Sequence, residues 1–197
     1  MGRLKFFTPA MFFIAIAILL WRGLYLDPRT LPSMLIDKSM PAFELSTVDG
    51  DPVSNSALPD QIFLLNVWGS YCLPCLVEHP TFMRLSEEGE IPVVGVNYKD
   101  QNELAHDWLE TNGDPFAFSI EDLDGRFGID LGVYGAPETY LVDAHGVIRY
   151  RHVSVLDETV WEEEFIPAIT ELREESDSVS YTHLRAHETL RYLVCRL

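Results

Sequence analysis

The chain begins with apolar residues packed too densely for any surface element. Arg3 and Lys5 precede FFTPAMFFIAIAILLW, and the sixteen residues from Phe6 to Trp21 carry no charge. Extended to Leu26, with Arg22 near its far end, the segment is long enough to cross a hydrocarbon layer of ~30 Å as a helix. Residues 1–26 therefore read as a membrane anchor. The residues that follow, WRGLYLDP, lack the small A-x-A arrangement of a cleavage site, so the anchor is expected to stay in place. The positive residues before it put the amino terminus in the cytoplasm and the rest of the chain across the membrane.

Residues 27–41 (DPRTLPSMLIDKSMP) contain three prolines and no period, which predicts a tether over 27–40. From Pro41 the patterning becomes that of a folded domain. FELSTVDG predicts a short strand ending in a turn at Asp49 and Gly50, and DPVSNSALPD a loop. IFLLNVW (62–68) is a continuous apolar run of strand length, as in a central strand covered on both faces. From Leu73 the spacing turns helical through Cys75, Leu76, Phe82, Met83 and Leu85, with Pro80 expected to kink the helix. IPVVGVNY (91–98) reads as a second buried strand.

QNELAHDWLETNG then predicts a helix with Leu104, Trp108 and Leu109 on one face, ending at Gly113. FAFSI reads as a short strand and DGRFGIDLGV as a weak helix. TYLVD and VIRYRHVSV, joined by the Ala144–Gly146 turn, form a predicted hairpin. DETVWEEEFIPAITELREE closes the domain as a helix capped by Asp157, with Trp161, Phe165, Ile169 and Leu172 inward. This order of elements predicts an α/β fold, a mixed sheet flanked by helices, over residues 41–176.

Composition changes this picture in two places. A formal charge of −17 leaves no basic surface for phosphates and sets nucleic acid aside. Residues 177–197 also depart from the domain: SYTHLRAHETLRYLVCRL carries three arginines and two histidines after an acidic helix. It reads as an accidental tail, which leaves Cys195 outside any mechanism.

The remaining two cysteines stand in WGSYCLPC, between the apolar strand and the helix. Such a pair serves as a haem attachment point, a zinc site, a structural staple or a redox dithiol. Haem attachment needs a histidine after the second cysteine, and Leu76 stands there. Zinc needs three or four ligands, and only His79, four residues after Cys75, could join Cys72 and Cys75. A staple closing so short a loop constrains the unfolded chain little.

The redox reading finds the strand-to-helix setting it requires. Cys72 at the helix start would have its thiolate stabilised by unpaired N–H groups and the helix dipole, making it the nucleophile. Cys75, one turn in, would resolve the mixed disulfide. Pro74 suits the first turn, where no N–H is needed.

WGSYCLPC after a buried strand, followed some sixty residues later by GVYGAPETYLVD, resembles the thioredoxin superfamily. More narrowly, it resembles the membrane-anchored thiol-disulfide oxidoreductases of cytochrome c maturation, the CcmG/DsbE type. The resemblance covers about residues 35–175 and implies a thioredoxin-like fold with a redox-active Cys72–Cys75 disulfide and neither cofactor nor metal. It implies that Pro137, which the residues alone allow equally as an ordinary turn proline, is a cis-proline facing the cysteines, with Ala136 and Pro137 pairing an extended partner peptide. Trp68, Tyr71 and Pro74 border the same site, with core packing the safer assignment for Trp68. Glu138 matches the family's acidic residue beside the site, and Glu78 the glutamate that tunes the dithiol, unless it is an ordinary solvated helix residue.

Two positions depart from the pattern. Asn66 stands where cytoplasmic thioredoxins keep a buried aspartate, and Tyr71 where the family has tryptophan. The resemblance further implies a periplasm-facing domain on a single inner-membrane helix. Its expected electron acceptor is apocytochrome c or its chaperone, and its donor a membrane electron-transfer protein. A general disulfide reductase or oxidase, and a metal chaperone using Cys72, Cys75 and His79, remain the alternatives.

Overall fold

The computed structural model describes residues 4–24 and 35–175. Most of the tether, the tail at 177–197 and Cys195 lie outside the described residues. The amino-terminal helix α1 (Leu4–Leu24) forms where an anchor is expected, and the side chains of residues 9–23 are exposed. Among the described residues no helix is long and apolar enough to cross a membrane.

Among the described residues, the second unit of the chain is built on one eight-stranded sheet. Its strands are β1 (Lys38–Ser39), β2 (Glu44–Thr47), β3 (Pro52–Ser54), β4 (Phe63–Trp68), β5 (Val93–Tyr98), β6 (Phe118–Asp122), β7 (Glu138–Val142) and β8 (Val147–Val153). Their spatial order is β1-β8-β7-β4-β5-β6-β2-β3. β4 lies between a parallel neighbour, β5, and an antiparallel one, β7. Every residue of β4 and β5 is buried, as continuous apolar runs at the centre of a two-sided sheet require.

The helices are α2 (Leu73–Glu88), α3 (Asn102–Asn112), α4 (Arg126–Leu131) and α5 (158–175). The middle of α5, Trp161–Phe165, widens to i→i+5 bonding, with the Ile166 N–H donating to the Trp161 carbonyl. Alternation along β4 divides the core between two faces. Phe63, Leu65 and Val67 pack with Phe43, Phe127 and Leu131 on one side. Leu64 packs with Phe82 and Leu85 of α2 and with Trp161, Phe165, Ile169 and Leu172 of α5 on the other, so the predicted inner stripe of α5 is the observed one. Asp157 caps α5 as expected, its side chain accepting from the Val160 N–H.

Two local expectations are corrected. The predicted loop at 51–60 contains strand β3 and a short 3-10 turn, Asn55–Ala57, because β3 draws its order from pairing with β2 rather than from its own residues. On α3, Leu104 faces outward, and the packed positions are Ala105, Trp108 and Leu109 against Trp68. Gly95 makes room for that cluster: a Cβ there would run into Ser119 Oγ and the Trp68 indole nitrogen.

Candidate active site

The apolar run of β4 ends at Trp68, and the chain crosses three residues to Cys72, the N-cap of α2. Cys72 and Cys75 form a disulfide. The Cys75 N–H points at Cys72 Sγ (3.2 Å), so a first-turn donor of the helix is aimed at the sulfur. Pro74 lies in that turn, where its missing N–H costs nothing. When the disulfide opens, a thiolate at Cys72 keeps this donor and the positive end of the helix dipole. Both cysteines are buried, Cys72 at 5% exposure and Cys75 at 2%.

The loop before Cys72 is held from β5. Asp100 accepts from the Ser70 N–H, from Ser70 Oγ (2.8 Å) and from the Asn97 side-chain amide (3.0 Å). The Tyr71 hydroxyl donates to the Tyr98 carbonyl (2.8 Å), which leaves its ring 57% exposed beside the disulfide. Leu73, Leu76 and Val77 are also exposed on this end of α2. Trp68 is a core residue at the floor of the site, the safer of its two expected roles. It is buried with Cys72 and Cys75, stacked on Phe116 and bonded through its indole N–H to Ser119 Oγ.

Glu78, one turn beyond Cys75, is 1% exposed, which removes the solvated reading. Its Oε1 accepts from Asn66 Nδ2 (2.9 Å) and its Oε2 from the Leu156 N–H (2.9 Å). Burial pushes its carboxyl up to about 7, against the two hydrogen bonds, which act to lower it. A carboxyl raised in the folded state holds its proton more tightly there than in the unfolded chain. The stability it contributes is complete below its ordinary pKa and is lost as pH rises through about 7. The shift corresponds to about 3 kcal/mol. Glu78→Gln is therefore expected to unfold at higher urea than the wild type at pH 8, with the difference shrinking toward pH 5. Parallel pH–stability curves for the two proteins would contradict the burial effect.

The peptide bond between Ala136 and Pro137 is cis, and Ala136 packs on the cluster that contains both cysteines. The Pro137 carbonyl accepts from the Ser154 N–H (3.3 Å). Glu138, the first residue of β7, is fully buried and reaches back under the loop. Its Oε1 accepts from the Tyr134 N–H (2.7 Å) and the Gly135 N–H (3.4 Å). Its Oε2 accepts from Tyr140 (2.9 Å) and from Arg151 Nε (3.0 Å) and Nη2 (2.7 Å). Arg151 also donates to the Gly132 carbonyl and lies under the Tyr134 ring, 4.4 Å from its centroid. Glu138 thus anchors the loop that carries Ala136 and Pro137.

His79, the third ligand of the metal alternative, is buried against Trp108, with Nε2 at 3.2 Å from the Asn112 carbonyl. Burial pushes its ring pKa down. Among the described residues no three His, Cys, Asp or Glu side chains gather as metal ligands. Arg151, Asp100 and Thr139 escaped sequence reasoning. Arg151 alone had a signal, as a cation inside a predicted hairpin.

Residues 36–165 match the Redoxin family. The thiol:disulfide interchange protein DsbE of Pseudomonas aeruginosa is 45% identical over 181 residues, covering 90% of this chain and 99% of that protein. DsbE of Escherichia coli K12 is 45% identical over 175 residues, 85% of this chain and 94% of its own. Among solved structures, a thiol-disulfide oxidoreductase from Bacteroides fragilis superposes with a TM-score of 0.56 at 22% identity, over 65% of this chain and 99% of its own, a likeness of fold. A disulfide across the start of α2, in a sheet of this order and at such identity to whole relatives, leaves one assignment. The chain is a thiol-disulfide oxidoreductase that belongs to the Redoxin family and, within it, to the DsbE thiol:disulfide interchange proteins.

Proposed function

We propose that this protein is a membrane-anchored, periplasm-facing reductant that keeps the haem-binding thiols of apocytochrome c, or of the chaperone that delivers it, free for haem attachment. The observation that carries the reading is the Cys72–Cys75 disulfide at the N-cap of α2, with a buried carboxyl at Glu78 one turn below.

In the reductive direction the Cys72 thiolate attacks one sulfur of the partner's disulfide. A mixed disulfide forms, and the partner's other sulfur leaves as a thiolate and takes a proton from water. Cys75 passes its proton to Glu78 and attacks Cys72. The Cys72–Cys75 bond forms, and the second partner sulfur leaves, with two electrons transferred in all. A carboxyl that titrates near neutrality suits this exchange in both directions.

Recharging requires a dithiol donor in the membrane, because an exported domain has no glutathione pool to draw on. The uncharged run from Phe6 to Trp21 behind Arg3 and Lys5 supports the anchor and its orientation. Ala136 and Pro137, with Tyr71 and Pro74 opposite, form the proposed border against which the partner's peptide lies.

The test is a Cys75→Ser variant in the native membrane, which holds partners on Cys72. Recovery of an apocytochrome or its chaperone supports the proposal. A collection of unrelated exported proteins would make the chain a general reductase instead.

A further inference from the structure

The two oxygens of Glu78 meet donors of different kinds. Oε2 accepts from the backbone N–H of Leu156, which cannot reverse, and Oε1 from the side-chain amide of Asn66, which can. An ionised carboxylate accepts only, and both partners suit it. Once the carboxyl is protonated, one oxygen becomes a donor and its partner must accept. Rotation of the Asn66 amide by a half-turn brings Oδ1 to where Nδ2 stood. The second bond of Nδ2 goes to Thr139 Oγ1 (3.2 Å), a hydroxyl that donates as readily as it accepts.

From this geometry we infer that Asn66 and Thr139 are positioning residues for Glu78, together offering its Oε1 a partner of the right kind in each protonation state. The inference rests on the reading of Glu78 as the acceptor of the Cys75 proton. In the ionised pattern Asn66 donates to both Glu78 and Thr139. In the protonated pattern the Glu78 Oε1–H and the Thr139 hydroxyl both donate to Asn66 Oδ1, while Oε2 keeps the Leu156 N–H. One proton moves from sulfur to Oε1, no electron moves in that step, and no backbone atom is displaced.

The sheet keeps these partners in line. Asn66 on β4 stands directly across from Thr139 on β7, and Thr139 across from His152 on β8. Cys75 stands one turn before Glu78 on α2, and beyond Thr139 His152 Nδ1 lies 2.8 Å from the Glu164 carboxylate, which also accepts from the Tyr150 hydroxyl (2.8 Å). The hydrogen-bond partners of Glu78 itself are neutral.

Thr139→Val separates the two patterns. It strands a buried amide N–H in the ionised pattern, whereas in the protonated pattern it only leaves Oδ1 with one of two lone pairs filled, the smaller loss. The test uses the full chain in detergent, with thionitrobenzoate linked by a mixed disulfide to Cys72. Its release by Cys75 is followed by absorbance from pH 5 to 9.

The midpoint of the rate profile is expected to move alkaline by about half a pH unit or more in Thr139→Val, as loss of one buried hydrogen bond implies. Thr139→Ser should restore it, and Glu78→Gln should remove that limb. A Thr139→Val profile that overlays the wild type, with the limb lost in Glu78→Gln, overturns the inference and leaves the role of Glu78 intact. Retention of the limb in Glu78→Gln overturns both.

A second measurement is independent of rates. In Glu78→Gln the new amide must turn its oxygen to Leu156 and its NH2 to Asn66, which holds Asn66 in the turned state. NMR cross-peaks between the Asn66 side-chain amide protons and the Thr139 side chain should then weaken relative to the wild type at pH 8. Unchanged cross-peaks would refute the turn.

Discussion

Cys72→Ser is expected to abolish disulfide reduction, to the rate of the uncatalysed exchange, whereas Cys75→Ser should still capture one partner per molecule. The asymmetry comes from the start of α2. Position 72 is the N-cap, and its sulfur receives the Cys75 N–H. Position 75 lies a turn further in, at 2% exposure. A serine hydroxyl at 72 fits the cap but does not ionise near neutral pH and cannot form the mixed disulfide. Reduction of a peptide disulfide, together with thiol-blocked mass analysis of the adducts, checks both. Equal adduct formation by the two variants would mean that either sulfur is attacked first and would remove the assigned order.

Glu138→Ala should destabilise the domain by about 3–5 kcal/mol, the usual cost of stripping one partner from a buried ion pair. The Arg151 side chain is 5% exposed, and its Nε and Nη2 both donate to Glu138 Oε2. Alanine also leaves the Tyr134 and Gly135 N–H groups short of an acceptor, while the Tyr140 hydroxyl keeps the Leu131 carbonyl. Urea unfolding at pH 7 measures the loss. Adding Arg151→Met should recover part of it, because the stranded charge disappears. A single variant within about 1 kcal/mol of the wild type would place the pair among surface bridges in its worth.

Much of the framework was legible because local pattern and tertiary role coincide. The run at 62–68 is central and apolar on both faces, and the stripe Trp161, Phe165, Ile169 and Leu172 is the inner face of α5. Pro80 lies inside α2, which runs on to Glu88. The misreadings fall where a distant partner decides. Ala105 is too small to weigh in a count of hydrophobic positions, yet it packs against Trp68, while the larger Leu104 faces out. Pro52–Ser54 becomes a strand only because β2 is there to pair with it.

The site follows the same rule. Cysteine spacing is local and was readable. The state of Glu78 is set by its burial, which the folding of distant segments creates; the Leu156 that bonds it lies 78 residues on, and the partnership of Asn66 with Thr139 spans 73. The clamp of Arg151 on Glu138 depends on how β7 and β8 lie side by side.

The outermost strands of the sheet are β1, of two residues, and β3, of three including Pro52. A free backbone edge is a template on which neighbouring molecules can add. Flanks this brief, one bearing Lys38 and the other a residue without an N–H, give an intruding chain almost nothing to zip onto. Short edges thus oppose edge-to-edge growth at the rim of this fold, separately from the chemistry at its centre.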